Sequence, residues 1–408
     1  MKRYRELFRF PNVWVLILSA FPARVAYGMV GLGIFFKVER ELKSVALAGL
    51  AVGINAAAGA ATAGVRGMII DRHGMKWPLR VQVPGYALML IALNSVSSRS
   101  LLLTFALLLG LTAPPINLSV RPLWRDVVTE DWLRTAYAVD TSVMSTAGVI
   151  GPILVTSLAL SSHPGSALLV ASACMAIGGG SLAATKVARN WIPETKPEVR
   201  IVFWRHKALQ LLVIEGCFIG FGWGIFDVAV PAFSTIEGVP ERTAWIFTAM
   251  GIANIIGGLL GGLVSKKTTP LGALRKTYIA WFVVSLPLAF TYPGWSMVIG
   301  GAFLGLVGGA IQVFYWEVME KVRPQGSPTG AMGWLWTIEG TLMSIGSASG
   351  GWISESISPQ FALAITTVCI GVGYIILTVG RGRLAEANKL PTEEEDLAAM
   401  KDNATTTQ

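Results

Sequence analysis

The chain has 408 residues, of which 53% are hydrophobic and only 14% are charged. An average soluble domain carries about 25% charged residues, so this sequence lacks the charge to hydrate the surface of a soluble fold. The apolar content excludes a disordered chain, and three cysteines in the whole sequence exclude a disulfide-rich secreted scaffold. We therefore expect an integral membrane protein with many spans.

Twelve apolar runs follow one another along the chain. A helix needs roughly 20 apolar residues to cross a bilayer, whereas the strands of a membrane barrel are short and alternate. The runs are continuous, so we expect an all-α membrane fold with twelve transmembrane helices. These spans 1 to 12 are placed near residues 13–35, 45–65, 80–98, 101–121, 136–160, 167–187, 208–233, 243–265, 277–293, 296–318, 331–354 and 360–380.

The basic residues predict the orientation of the spans. If the N-terminus is cytoplasmic, 27 of the 33 Lys and Arg residues lie in cytoplasmic tails and loops, and 5 lie on the other side. Such a bias marks the cytoplasmic face, so we expect a multi-pass protein of the cytoplasmic (inner) membrane with both termini inside. The net charge of +9 is thereby explained without nucleic acid. We call the membrane face with the basic loops the basic end, and the other face the opposite end.

The organisation of the chain predicts two halves. A polar segment with two prolines, 188–207, follows span 6, and we interpret it as a cytoplasmic linker between an N-terminal six-helix bundle, 1–187, and a C-terminal one, 208–385. The acidic segment 386–408 predicts a disordered cytoplasmic tail.

The segments that follow spans 2 and 8 resemble each other. Residues 67–80 and 262–275 share a glycine at the start and a Leu-Arg pair at the end, at an offset of 195 residues. Duplicated halves are typical of secondary transporters, which bind their substrate between the repeats near the middle of the membrane.

The segment after span 2 also carries a motif. It reads Gly-x-x-x-Asp-Arg-x-Gly-x-Lys and comprises Gly67, Asp71, Arg72, Gly74 and Lys76. It resembles the loop signature of the major facilitator superfamily, and the chain resembles the drug or metabolite:proton antiporters of that family. The resemblance implies two pseudo-symmetric six-helix bundles that rock around a central site. The two glycines are expected to permit a tight turn.

The resemblance further implies that this motif is a conformational latch. Asp71 is expected to pair with Arg72, or with Arg121 or Arg125 between spans 4 and 5, when the halves close on the cytoplasmic side. The alternative interpretation is a solvated charged loop. Arg121 lies at the end of span 4, so the arginine that the family often carries deep in this span is absent here.

Span 5 contains a partial match to a second family pattern, Gly-x-x-x-Gly-Pro, which is frequent in proton-coupled exporters. Here the spacing is one residue shorter, with Gly148, Gly151 and Pro152. The resemblance implies close helix packing at these residues and export as the direction of transport.

Five charged residues lie inside predicted spans and away from the span ends: Arg24, Asp140, Glu215, Asp227 and Glu339. A charge near the middle of the bilayer costs at least ~2.5–3.5 kcal/mol, so each must face a cavity or a partner. In the family, spans 1, 5, 7 and 11 line the central cavity. We expect Arg24 to pair with Glu215 or Glu339 and the carboxylates to bind and release protons; a permanent structural ion pair is the alternative.

Other side chains can contact a ligand. Asn117 in span 4 is a candidate polar contact, and Trp223 and Trp336 offer aromatic surfaces that can stack on an aromatic or cationic ligand. For each of them, packing between helices is the alternative interpretation.

The sequence does not favour an enzyme. The three His residues lie in predicted loops, and no metal-ligand spacing, phosphate-cradling loop or nucleophile motif is present. We therefore expect no cofactor and a proton gradient as the energy source. The expected function is proton-driven efflux of a small amphipathic drug or metabolite by a monomer in the lipid bilayer. The alternatives are uptake of a small anionic metabolite held by Arg24, and a non-transporting receptor or lipid-handling protein.

Overall fold

The computed structural model describes residues 2–191, 207–262, 269–322 and 330–386. Within these ranges the regular elements are helices, which confirms the expected all-α fold. Nine of the described helices are long and apolar enough to cross a membrane. The chain is therefore a multi-pass membrane protein.

The first half contains spans 1 to 6. They are Val13–Leu42, Val45–His73, Lys76–Ser95, a span 4 divided into Arg99–Thr112 and Ile116–Val127, Glu130–Ala159, and Ser166–Ala184. Two short helices, Lys2–Leu7 and Lys186–Asn190, flank these spans.

The second half contains spans 7 to 12. They are Lys207–Ile236, Arg242–Gly262, Pro270–Ser285 with the 3-10 turn Leu286–Phe290, Trp295–Val322, Gly330–Ser356, and Pro359–Val379, followed by the short helix Arg381–Glu386. Each expected span thus coincides with a helix. Most of the expected linker (192–206) and of the tail (387–408) lies outside the described residues, so the domain boundaries stay a prediction.

Span 4 is broken in the middle because of two adjacent prolines. Pro114 and Pro115 have no backbone N–H, and the residue before a proline is driven out of the helical region. Ala113 accordingly adopts an extended ψ of 119°. The break leaves the carbonyl groups of Ala113 and Pro114 without helical i+4 partners inside the membrane. The Pro114 carbonyl accepts a hydrogen bond from the Ile116 N–H at 2.8 Å, and the Ala113 carbonyl needs a donor from another span.

Span 2 is longer than the sequence predicts. It continues to His73, so the backbone of Gly67, Asp71 and Arg72 is helical and not part of a loop. The expectation that Gly67 forms the turn is wrong, because an isolated glycine costs a helix only about 1 kcal/mol and no proline follows it. The turn lies at Gly74, whose φ of +71° falls in the left-handed region that favours glycine.

Among the described residues, the two halves touch chiefly through two pairs of spans. Gly49 of span 2 faces Gly351 of span 11, where an added Cβ on Gly49 would lie 2.7 Å from the Gly351 Cα. Span 5 meets span 8 where Val149 lies against Gly251. Because Gly49 and Gly351 lie near the opposite end of their helices, the backbones of the two halves are in direct contact at that end.

Candidate functional site

The first half contains a cluster of three polar residues inside the membrane, two of which are buried. The guanidinium of Arg24 in span 1 donates to the Asp140 carboxylate of span 5 at 2.8 Å and to the Asn117 side chain of span 4 at 3.2 Å. Arg24 and Asp140 are only 4% and 5% exposed. All three lie about 15 Å from the basic end, at 1.5 Å of rise per residue. The positive charge of Arg24 is therefore neutralised within its own half.

This pairing corrects the sequence-based expectation, in which Arg24 pairs with Glu215 or Glu339. Spans 1 and 5 approach each other closely because Gly28 faces Gly151, so Asp140 is brought within reach of Arg24. The two glutamates belong to the other half, and the described hydrogen bonds and ion pairs of Arg24 do not include them.

A second arginine supports the break in span 4. Arg66 of span 2 donates to the carbonyl of Ala113, and also to the carbonyls of Gly59 at 2.6 Å and Thr62 at 3.3 Å. The Tyr27 hydroxyl donates to the Pro114 carbonyl. The sequence analysis missed Arg66 because it ended span 2 at residue 65. The sequence did contain a signal for such a donor, because two adjacent prolines inside an apolar run free backbone carbonyls that need hydrogen-bond donors.

The second half contains a cluster of a different kind. Glu215 of span 7 is 2% exposed, and the Tyr278 hydroxyl of span 9 donates to its Oε1. Tyr315 of span 10 and Glu339 of span 11 lie close enough to interact with the same carboxylate. Glu339 packs against span 7, where a Cβ added to Gly220 would lie 3.0 Å from the Glu339 Cγ. Two carboxylates and two phenols therefore share one region.

Long stretches of the spans of the second half contain no cation to balance these acids. The sequence contains no Lys, Arg or His in 208–241, 243–262, 277–320 or 331–380. Glu215, Asp227 and Glu339 all lie within these ranges. Arg275 lies three residues before Tyr278 in span 9, and its guanidinium donates to the Thr378 hydroxyl. The pattern of stretches without cations is readable from sequence, and the sequence analysis did not use it.

Asp227 is separate from the other two acids. It lies 12 residues beyond Glu215 in span 7, or about 18 Å along the helix axis. It is half-buried, and no residue in the described ranges makes a hydrogen bond or ion pair with its carboxylate. Asp227 is thus an uncompensated acid in the half of span 7 nearer the opposite end.

A cavity of about 190 Å³ lies where spans 5, 7, 8 and 10 meet, between the two halves. Its wall includes Gly148, Trp223, Asn254 and Gly305. The Trp223 ring also packs against Trp281 and Phe226, with ring centroids 5.7 and 5.3 Å apart. Trp223 therefore serves both in helix packing and as a wall of the cavity.

The span 5 residues of the partial family pattern have different surroundings. A Cβ on Gly151 would lie 2.7 Å from the Gly28 Cα, so Gly151 permits the contact with span 1. Gly148 has open space beside it and lines the cavity. Pro152 lies inside the span 5 helix.

The predicted latch is described only in part. Lys76 begins span 3, with its ammonium 5.7 Å from the Trp77 ring centroid. The remaining charged latch side chains and one aromatic candidate lie outside what the structure describes, so their roles stay predictions: Asp71, Arg72, Arg121, Arg125 and Trp336.

A polar contact that the sequence analysis missed joins the halves at the opposite end. The Glu355 carboxylate of span 11 accepts hydrogen bonds from the Ser44 hydroxyl, at 2.9 Å, and from the Ala46 backbone N–H. Ser44 is the N-cap of span 2, where helices favour negative charge and leave N–H groups unpaired. Glu355 therefore completes the cap of a helix in the other half.

The chain is similar to known proteins over nearly its whole length. The family model described as "Major Facilitator Superfamily" matches residues 16–343. The protein described as "Uncharacterized MFS-type transporter y4rN", from Sinorhizobium fredii (strain NBRC 101917 / NGR234), is 24% identical over 402 residues, covering 91% of this chain and 96% of its own.

Solved structures have the same fold. The nucleoside transporter NupG superposes with a TM-score of 0.72 at 13% identity, covering 91% of this chain and 99% of its own. The peptide transporter POT, in complex with sulfate, gives a TM-score of 0.73 at 14% identity, covering 93% and 96%.

Proposed function

Because the chain belongs to the Major Facilitator Superfamily, we propose that it is a proton-coupled secondary transporter of the cytoplasmic membrane that exports a small amphipathic drug or metabolite. The observation that carries the proposal is the group of acids in the second half, where Glu215 and Glu339 lie side by side without a basic residue.

The proton is the counter-charge that this arrangement can accept. Two ionised carboxylates at the same depth in the membrane repel each other, and buried charges in proteins are normally paired. Binding one proton removes one of the two charges, and the Tyr278 hydroxyl holds the Glu215 carboxylate in place. The Glu215–Glu339 pair is therefore the proposed proton site, and Arg24–Asp140 is a structural pair.

The contact between the halves gives this site access to one side at a time. Spans 2 and 11 touch at the opposite end, through Gly49, Gly351 and the Glu355 cap. In this conformation we propose that protons and substrate exchange with the basic end, which we take as the cytoplasmic face because Lys and Arg are concentrated there. Export is the proposed direction because the glycines of span 5, with Gly148 in the cavity wall, partly match a pattern that is frequent in proton-coupled exporters.

Uptake of an anionic metabolite is less well supported. Such a substrate requires a cation that is free to bind it, and Arg24 already carries an ion pair with Asp140. A receptor or lipid-handling role predicts no gradient-driven flux, which the following experiment measures.

The test uses everted membrane vesicles that contain the full chain and an imposed pH gradient, acid inside, monitored with a pH-sensitive dye. Addition of a transported compound from an amphipathic panel should dissipate the gradient as protons leave. The double variant Glu215→Gln, Glu339→Gln should lose this response, because neither amide can exchange the coupled proton.

The matched control is Glu317→Gln, which changes an exposed glutamate of span 10 and should behave like the native chain. Transport that proceeds at the same rate with and without the gradient would refute proton coupling. A full response in the double variant would show that the proton binds elsewhere.

A further inference from the structure

The cavity between the halves has one aromatic wall. Trp223 is half-buried, and its indole borders the cavity together with the small residues Gly148, Gly305 and Gly308. These three glycines have no side chains that fill the cavity beside the indole. A Trp face is the best aromatic partner for an organic cation.

The nearest acid on the same helix face is Asp227. Residues four apart on a helix are neighbours, with Cβ atoms about 5–6 Å apart, so Asp227 lies one turn beyond Trp223 toward the opposite end. Viewed along the axis of span 7, Asp227 lies between Trp223 on one side and Gly220 and Gly224 on the other. The two glycines face span 11. Asp227 thus faces the space between the bundles.

The carboxylate of Asp227 has no described partner, and the sequence places no basic residue in 208–241, 243–262, 277–320 or 331–380. The opposite wall of the cavity carries a second free polar group. The Asn254 amide of span 8 has no hydrogen-bond partner in the described ranges, and its Nδ2 lies near Gly308. The aromatic face of Trp223 and the Asn254 amide therefore line the cavity, and the unpaired acid Asp227 lies one helical turn beyond Trp223.

We propose that this cavity binds a compact aromatic organic cation, with its positive centre between Trp223 and Asp227 and a polar group on Asn254. The proposal deepens the proposed function, because it takes the cavity as the substrate site of that transporter and assigns a substrate class to it. Glu215 and Glu339 lie nearer the basic end, so proton binding and cation binding use different acids of the second half.

The test compares two compact probes of similar size and opposite charge, phenyltrimethylammonium and benzenesulfonate, on the purified full chain by isothermal titration calorimetry. The cation should bind at least about tenfold more tightly than the anion. Asp227→Asn should weaken binding of the cation by about tenfold, and Trp223→Leu should weaken it by about fivefold.

Two variants serve as controls. Asp227→Glu keeps the charge and should restore most of the affinity that Asp227→Asn loses. Glu237→Gln removes an exposed acid just beyond the end of the same helix, where it bonds the Tyr292 hydroxyl, and should bind the cation like the native chain. Equal affinity for the two probes, absence of cation binding, or native affinity in Asp227→Asn would each overturn the proposal.

The outcome is separable from that of the vesicle experiment. If the pH gradient drives transport of other compounds and phenyltrimethylammonium does not bind, proton coupling stands and the substrate class is wrong. If the cation binds through Asp227 and transport ignores the gradient, the site stands and the coupling is wrong.

Discussion

The two halves carry charged residues on corresponding helices, but the charges are paired in one half and of the same sign in the other. Span 1 carries Arg24 and span 5 carries Asp140, whereas the corresponding spans 7 and 11 carry Glu215 and Glu339. The offsets between them are 191 and 199 residues, each within about one helical turn of the 195-residue repeat. One half therefore has an ion pair where the other has two acids. The first arrangement is stable in one charge state, and the second can change its charge by binding a proton.

The largest expected loss of stability comes from breaking the ion pair between Arg24 and Asp140 in the first half. Asp140→Asn leaves the buried guanidinium of Arg24 without a counter-charge, and removal of one member of a buried pair costs about 3–5 kcal/mol. We expect the free energy of unfolding to fall by about 3 kcal/mol, because the new amide can still accept a hydrogen bond. The measurement is thermal unfolding of the purified protein in detergent.

The matched variant in the second half is Glu215→Gln. No cation loses its partner there, and the amide oxygen can still accept the hydrogen bond of Tyr278, so stability should change by less than about 1 kcal/mol. Equal losses in the two variants would show that the halves do not differ in the way the charges suggest.

Helix packing provides a smaller test of the same comparison. The close contact of Gly151 with Gly28 brings spans 1 and 5 together and so allows Arg24 to reach Asp140. Gly151→Ala places a methyl group against the Gly28 backbone and should destabilise the protein by about 1–3 kcal/mol.

Gly148→Ala, one turn earlier, adds the same methyl group where nothing lies within 4 Å, and should leave thermal stability within about 0.5 kcal/mol of the native chain. A loss in Gly148→Ala as large as in Gly151→Ala would mean that alanine in span 5 is unfavourable for a reason other than the contact with span 1.

Much of this fold was predictable because membrane insertion imposes it. A lipid-facing helix must be long and apolar, so the positions of most of the spans follow from hydropathy. The end of span 2 was not predictable in the same way, because polar residues such as Asp71 are compatible with a helix that continues into the basic loop. The break in span 4 left a clear mark in Pro114 and Pro115.

The site was only partly predictable. Sequence identified Arg24, Asp140, Glu215, Asp227 and Glu339 because a charge inside a span is costly and therefore conspicuous. It could not choose partners among them, because hydropathy carries no information on which spans are neighbours or on how a helix is rotated. Polar residues at helix ends, such as Ser44 and Glu355, are exposed to water at no energetic cost. Their contact therefore does not stand out in the sequence as a charge inside an apolar run does.

The smallest expected effect concerns the contact by which the two unlike halves meet. Glu355→Ala removes the carboxylate that caps span 2 from the other bundle, a contact worth about 1 kcal/mol by comparison with other helix caps. Because this contact forms only when the opposite end is closed, its loss should raise the population open at that end up to about fivefold.

Spin labels at Lys43→Cys and Ile357→Cys, both exposed positions at that end, report the separation of the two halves by pulsed electron paramagnetic resonance. The control Glu237→Ala removes an acid at the same end that bonds Tyr292 within one half, and should leave the distance distribution unchanged. A distribution in Glu355→Ala that matches the native one would show that the glycine contacts of spans 2 and 11 alone hold the opposite end closed.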